Sequence, residues 1–176
     1  RRPPIRGNTL REPRARGWTV IRGHRPDRRP PTVNASTPAP SGDLRGVLDR
    51  LGLAPDRIVQ ELGYDDDVDH DFRAAVEERL GTPMEDDGYT GEIDAALLWW
   101  RGGDGDLTDA LVDLVGLLDD GGYVALLTPR HTADAVEASE IEEAARTAGL
   151  HPGGPFNLSD DWRGVKLAPP RGSGRR

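Results

Sequence analysis

This chain has no cysteine. Disulfides, thiolate metal sites and a cysteine nucleophile are therefore excluded. The four histidines are scattered and do not read as a metal cluster. Long apolar runs are missing as well. AALLWW and YVALLT stand among the longest, far short of the roughly 20 residues a membrane helix needs. No segment joins a basic start to an apolar stretch, so no secretory signal is legible and a cytoplasmic location is expected. Lysine occurs once, at Lys166, against 22 arginines. A GC-rich genome produces that bias without any functional cause. No G-x-S-x-G elbow and no complete phosphate-loop motif is present.

What is present is charge, unevenly placed. The formal net charge of −8 hides two opposite regions: residues 1–42 hold ten arginines and two acids, whereas residues 43–170 hold 29 acids and ten bases. The acidic body repels nucleic-acid phosphates and anionic lipids. The arginine-rich prefix would bind polyanions if native. It lacks apolar periodicity, so it cannot offset its chain entropy by burial, and disorder is expected. Residues 1–42 are read as an extension outside the functional domain, a start-site artefact rather than a basic arm. Residues 171–176 read as a disordered tail. One domain, 43–170, remains.

Its pattern is that of an α/β protein. Ser41 or Asp43 caps a helix carrying Leu44, Val47, Leu48 and Leu51 on one face, and Gly52 stops it. Residues 57–62 read as a strand and 64–69 as an acidic loop. Asp69 then caps a helix that Gly81 ends. Thr82 to Glu85 suggests a short second strand. The segment Asp94 to Pro129 carries the clearest signal: two apolar strands, Ile93–Trp100 and Tyr123–Thr128, flank an amphipathic helix over 107–118 capped by Asp106. Such a βαβ unit implies parallel strands. Ser139 and Glu142 form the pattern of a capping box for a further helix ended by Gly149. Residues 155–158 and 164–168 predict a closing hairpin. A single mostly parallel sheet of five or six strands with flanking helices is expected.

The element order resembles a shortened Rossmann-like fold of S-adenosylmethionine-dependent methyltransferases. Glu61-Leu62-Gly63 resembles the start of that family's E-x-G-x-G loop. Glu85, Asp86 or Asp87 falls where its ribose-binding acid would stand. Asp94 opens the central strand, and Leu118-Asp119-Asp120-Gly121-Gly122 resembles its turn into the next strand. The resemblance implies cofactor contacts at Glu61, Gly63, Glu85 and Asp86. The loop departs from the pattern, because Asp65-Asp66-Asp67 replaces glycine with carboxylates that repel the cofactor's own. A second resemblance is more specific. VQELGYDDDVD, LLWWR followed by GDGDLTDALVD, LLTP and the KLAPP ending are similar to an actinobacterial domain-of-unknown-function family (number 3052) over most of residues 50–170. It implies an actinobacterial source and no particular activity.

Open α/β sheets bind ligands at the carboxyl ends of their strands. That edge would carry Trp99, Trp100, Arg101 and Thr128, the candidate contacts for a ligand or partner. Adjacent strand residues face opposite sides, so the two tryptophans do not share a pocket unless the strand ends between them. Arg101 either clamps an anion or pairs with neighbouring acids. Asp65, Asp67 and Asp69 suggest a Mg²⁺ or Ca²⁺ loop. His70 and Val76 stand where an EF-hand needs Gly and Glu, so a solvated, helix-capping loop is the expected reading and no metal is assigned. Gly102-Gly103-Asp104-Gly105-Asp106 reads as a helix start. The function expected is a non-enzymatic, methyltransferase-like domain that needs no cofactor and binds a protein partner or small ligand. The alternative is an S-adenosylmethionine-dependent methyltransferase with a degenerate loop.

Overall fold

A computed structural model describes residues 43–171. The expectations for 1–42 and for the tail beyond Arg171 fall outside that range. Nine elements follow in order: α1 (Leu44–Leu51), β1 (Val59–Leu62), α2 (His70–Leu80), β2 (Ile93–Trp99), α3 (Leu107–Val115), β3 (Leu118–Pro129), α4 (Ala138–Thr147), β4 (His151–Asn157) and β5 (Trp162–Ala168). The sheet order is β1-β2-β3-β5-β4.

Side-chain caps start three of the helices. Asp43 accepts from the Gly46 amide, Asp69 from Phe72, and Asp106 from Thr108 and Asp109. Each carboxylate satisfies amides that the first turn leaves without partners. The capping box at Ser139 does not form. Ser139 is already inside α4, whose N-cap, Glu137, makes no side-chain cap bond. Helix α3 also stops earlier than its apolar period suggests, at Gly116. Leu118 instead joins the sheet opposite Ile93, and the Asp-Asp-Gly-Gly turn becomes an irregularity inside β3.

The mixed α/β class holds, but the sheet is less parallel than expected. β1–β2 and β2–β3 are parallel, whereas β3–β5 and β5–β4 are antiparallel. The expected strand at Thr82–Glu85 shrinks to one parallel bridge between Gln60 and Glu85. Pro83 has no N–H to donate to a longer ladder. The closing hairpin forms with a longer first strand than predicted, because β4 takes in Pro152 and Pro155 at the sheet's edge, where a missing donor is tolerated.

Two apolar layers cover the sheet. On one face, Val47, Leu48 and Leu51 of α1 and Phe72, Val76 and Leu80 of α2 pack over Val59, Leu97, Trp99 and Leu127. On the other, Leu107, Leu111 and Leu114 of α3 and Ile141, Ala144 and Ala145 of α4 pack over Ala96, Leu98, Val124 and Leu126. Strand alternation sends Trp99 into the first layer and Trp100 into the second. Among the described residues, no helix is long and apolar enough to cross a membrane.

Candidate functional site

The carboxyl ends of β1 and β2 open onto a cleft of about 690 Å³, walled on one side by α3. Gln60 and Leu62 reach it from β1 and Trp100 from the end of β2, while Tyr89 and Asp87 come from the segment before β2. Asp65, Asp87, Asp104 and Asp113 line it, against one basic residue, Arg101. Tyr64 and Tyr89 add aromatic surface. The lining therefore suits a planar ligand that is cationic or rich in N–H donors.

The Gln60 side-chain amide donates to the carbonyls of Asp86 (2.9 Å) and Tyr89 (3.0 Å), which fixes its orientation. Its Oε1 is then left buried without a donor among the described residues, on a residue only 1% exposed. A buried acceptor without a partner costs roughly 1–3 kcal/mol.

The opposite face of β1 is already occupied by its own structure. Glu61 is buried and receives Arg73 Nε and Nη2 at 2.6–2.8 Å, with Trp99 Nε1 at 2.9 Å. Its carboxylate is held by these three donors on the far side of the strand and does not line the cleft. Gly63 does line it. A Cβ at Gly63, whose φ is +69°, would collide with the Trp99 carbonyl oxygen. The glycine thus permits a close approach of the β1 exit to β2.

The acidic loop is tied down by three contacts. Arg101 forms a two-point ion pair with Asp67, its Nε at 3.0 Å from Oδ2 and its Nη2 on Oδ1. Its Nη1 donates to the Gly63 carbonyl at 3.0 Å. Trp162 Nε1 donates to the Asp67 carbonyl at 2.9 Å. The Arg101 hydrogen bond holds the Asp67 carboxyl below its ordinary pKa. Asp104 accepts from the Arg101 amide and so fixes the start of the following loop. Arg101 serves as a strap across the loop, with its guanidinium over the Trp162 ring at 5.3 Å.

The cation candidates take separate tasks. Asp65 accepts from the Asp66 amide, Asp67 holds Arg101, and Asp69 caps α2. Among the described residues, no three His, Asp or Glu side chains converge as a metal set would. Glu85 and Asp86 are exposed and stand outside the cleft, whose acid from that segment is Asp87. Thr128 is buried and accepts from Arg163 Nε at 3.4 Å. It borders a separate pocket with α4 and β4, so it does not join Trp99–Arg101. Sequence reasoning missed Gln60, Tyr89 and Asp113. Gln60 carried a readable signal, a polar side chain next to Glu61 and therefore on the opposite face of the strand. The other two depend on where α3 lands.

An S-adenosylmethionine site would need the β1 exit loop free for the cofactor's amino-acid end. Here Arg101, held by Asp67, and the Asp65 carboxylate line the cleft beside Gly63. These residues do not fit that end of the cofactor.

Comparison with known proteins agrees with the fold. Residues 48–171 match the profile of a family described as a protein of unknown function (DUF3052). Uncharacterized proteins of Mycobacterium tuberculosis and Mycobacterium bovis are 40% identical over 141 residues, covering 80% of this chain and 89% of each relative. Among solved structures, the geranyl diphosphate C-methyltransferase of Streptomyces coelicolor, in complex with S-adenosyl-L-homocysteine, superposes with a TM-score of 0.52 at 12% identity, covering 71% of this chain and 73% of that one. The pyocyanin biosynthetic protein PhzM gives 0.53 at 12% identity, over 72% and 54%. The fold is methyltransferase-like.

Proposed function

The chain belongs to the DUF3052 family, and from that premise we propose that it is a non-enzymatic, small-ligand-binding domain built on a methyltransferase-like scaffold. The ligand is planar, bears N–H donors and tends to positive charge. One observation carries this reading: the 690 Å³ cleft is lined by Asp65, Asp87, Asp104 and Asp113 and by the rings of Tyr64 and Tyr89, against a single guanidinium. The absence of catalysis is argued from the site. Glu61 is engaged by Arg73 and Trp99 away from the cleft, and neither His70 nor His131 lines the cleft.

The second reading is an S-adenosylmethionine-dependent methyltransferase with an altered loop. The cleft's position at the strand ends supports it, as does Asp87 on its wall. The Streptomyces neighbour was solved with the related S-adenosyl-L-homocysteine. Thermal unfolding with adenosine, 1-methyladenosine and S-adenosylmethionine separates the two. A ligand at about 100 times its Kd stabilises by roughly 2.7 kcal/mol. The first reading expects the planar cation 1-methyladenosine to give the largest shift, lost in Asp113→Lys. No shift with any of the three would remove it. A dominant shift with S-adenosylmethionine, lost in Asp87→Ala and accompanied by methyl transfer, would install the second.

A further inference from the structure

A further pocket lies at the other end of the sheet. It measures about 200 Å³ and is bordered by the C-terminal end of α1, by Arg57 and Asp94, and by Tyr123 and Lys166. Nothing in the methyltransferase-like reading uses it. Tyr123, at 8% exposure, is packed in the apolar layer beneath α1, and its hydroxyl has no hydrogen-bond partner among the described residues. Burial raises the pKa of that hydroxyl, so it stays protonated and able to donate. Lys166, the only lysine of the chain, reaches the pocket from β5. Its ammonium lies 3.9 Å from the centre of the Tyr123 ring and gives one hydrogen bond, to the Leu51 carbonyl at 3.0 Å.

Donors exceed acceptors in this pocket. An ammonium has three hydrogens and Lys166 places one of them on Leu51. Both carboxylate oxygens of Asp94 are engaged, Oδ1 by Arg57 Nη1 at 2.5 Å and Oδ2 by the Ile58 amide at 2.8 Å. The nearby charges comprise Arg57, Lys166 and, beside the latter, Arg171, against Asp94 and Asp119. Within an acidic body this is a local positive surplus. A buried hydroxyl donor beside a partly dehydrated ammonium matches a compact monoanion. A dianion would meet Asp94 and the carbonyl end of α1 at close range.

We propose that this pocket is a binding site for a small carboxylate, which accepts from the Tyr123 hydroxyl and the Lys166 ammonium. It is independent of the cleft at the carboxyl edge and stands whichever ligand that cleft takes.

The single lysine makes the test direct. This 176-residue chain labelled with ¹³C at lysine Cε yields one side-chain signal, that of Lys166. Sodium acetate, titrated against sodium chloride at equal ionic strength, is expected to move that signal saturably. Tyr123→Phe keeps the ring under the ammonium and removes only the unpartnered hydroxyl, so folding is preserved. It should weaken acetate binding roughly tenfold, the effect of one charge-assisted hydrogen bond. Equal, non-saturating shifts with acetate and chloride would overturn the site, as would unchanged binding in Tyr123→Phe. A saturable response to inorganic phosphate alone would overturn the carboxylate assignment.

Discussion

The indole of Trp99 donates to the Glu61 carboxylate at 2.9 Å, joining the carboxyl ends of two adjacent parallel strands from inside the apolar layer. Arg73 of α2 closes on the same carboxylate. One acid thus organises β1, β2 and α2. Glu61→Ala leaves a buried indole N–H and a half-buried guanidinium without their acceptor. We expect a loss of about 3 kcal/mol, the lower end of the range for a broken buried pair, because Arg73 keeps partial access to water. Urea unfolding followed by circular dichroism measures it. A loss below about 1 kcal/mol would show that the carboxylate organises nothing.

Two glycines with nearly equal φ predict unequal outcomes. Gly52 (φ +75°) ends α1 with open space where a Cβ would stand, whereas Gly63 (φ +69°) faces the Trp99 carbonyl. Gly52→Ala bears only the left-handed strain, about 1 kcal/mol. Gly63→Ala adds a clash with backbone and should cost more than about 3 kcal/mol. Thermal unfolding of the two variants side by side decides. Equal losses would mean that β1 and β2 do not approach as described.

The Arg101 strap has its own signature. Arg101→Ala removes the bond to the Gly63 carbonyl and the pair with Asp67. Amides of the loop after β1 should then exchange with solvent roughly tenfold faster or more, while those in the middle of β2 and β3 stay protected. Hydrogen exchange read by mass spectrometry reports both regions. Uniform acceleration would point to global destabilisation instead.

The pH dependence follows from Asp67, whose pKa is lowered chiefly by the Arg101 hydrogen bond. A carboxylate with a depressed folded pKa contributes stability above its unfolded value, near 3.9, and loses it as pH falls through the folded one. Asp67 is 54% exposed, so the contribution stays under about 1 kcal/mol. Wild type and Asp67→Asn should differ by a constant amount above about pH 5, and the difference should shrink as pH falls through the unfolded value and vanish below the folded one. A difference that persists at the lowest pH would assign the effect to something other than ionisation.

Local chemistry wrote much of the fold into the sequence. Asp43, Asp69 and Asp106 are short acceptors ahead of apolar periods, and each caps its helix as expected. The opposite placement of Trp99 and Trp100 follows from strand alternation. Where the sequence misled, a tertiary effect decided. The apolar period of α3 runs on to Leu118, yet pairing with Ile93 draws Leu118 into the sheet. The Ser139–Glu142 spacing fits a capping box, but the helix begins before it. The site was legible in outline only. Arg101 was readable as an ion-pair partner because acids crowd it in sequence. Its bond to the Gly63 carbonyl joins residues 38 apart, and no spacing rule reveals such a contact. The Tyr123–Lys166 pocket was invisible for the same reason, since its two residues meet only when β5 folds back beside β3.

The neighbouring tryptophans carry one last consequence, concerning which length changes the protein can absorb. Trp99 lies wholly in the α1–α2 layer and Trp100 in the α3–α4 layer, a single peptide bond apart. Deleting one residue early in β2 reverses the parity of everything after it. The Glu61-seeking indole would then be delivered to the wrong layer. Deleting two residues shortens the strand but restores the sides. Natural length variation inside β2 is therefore expected in even steps, whereas the loops that flank it carry no such rule.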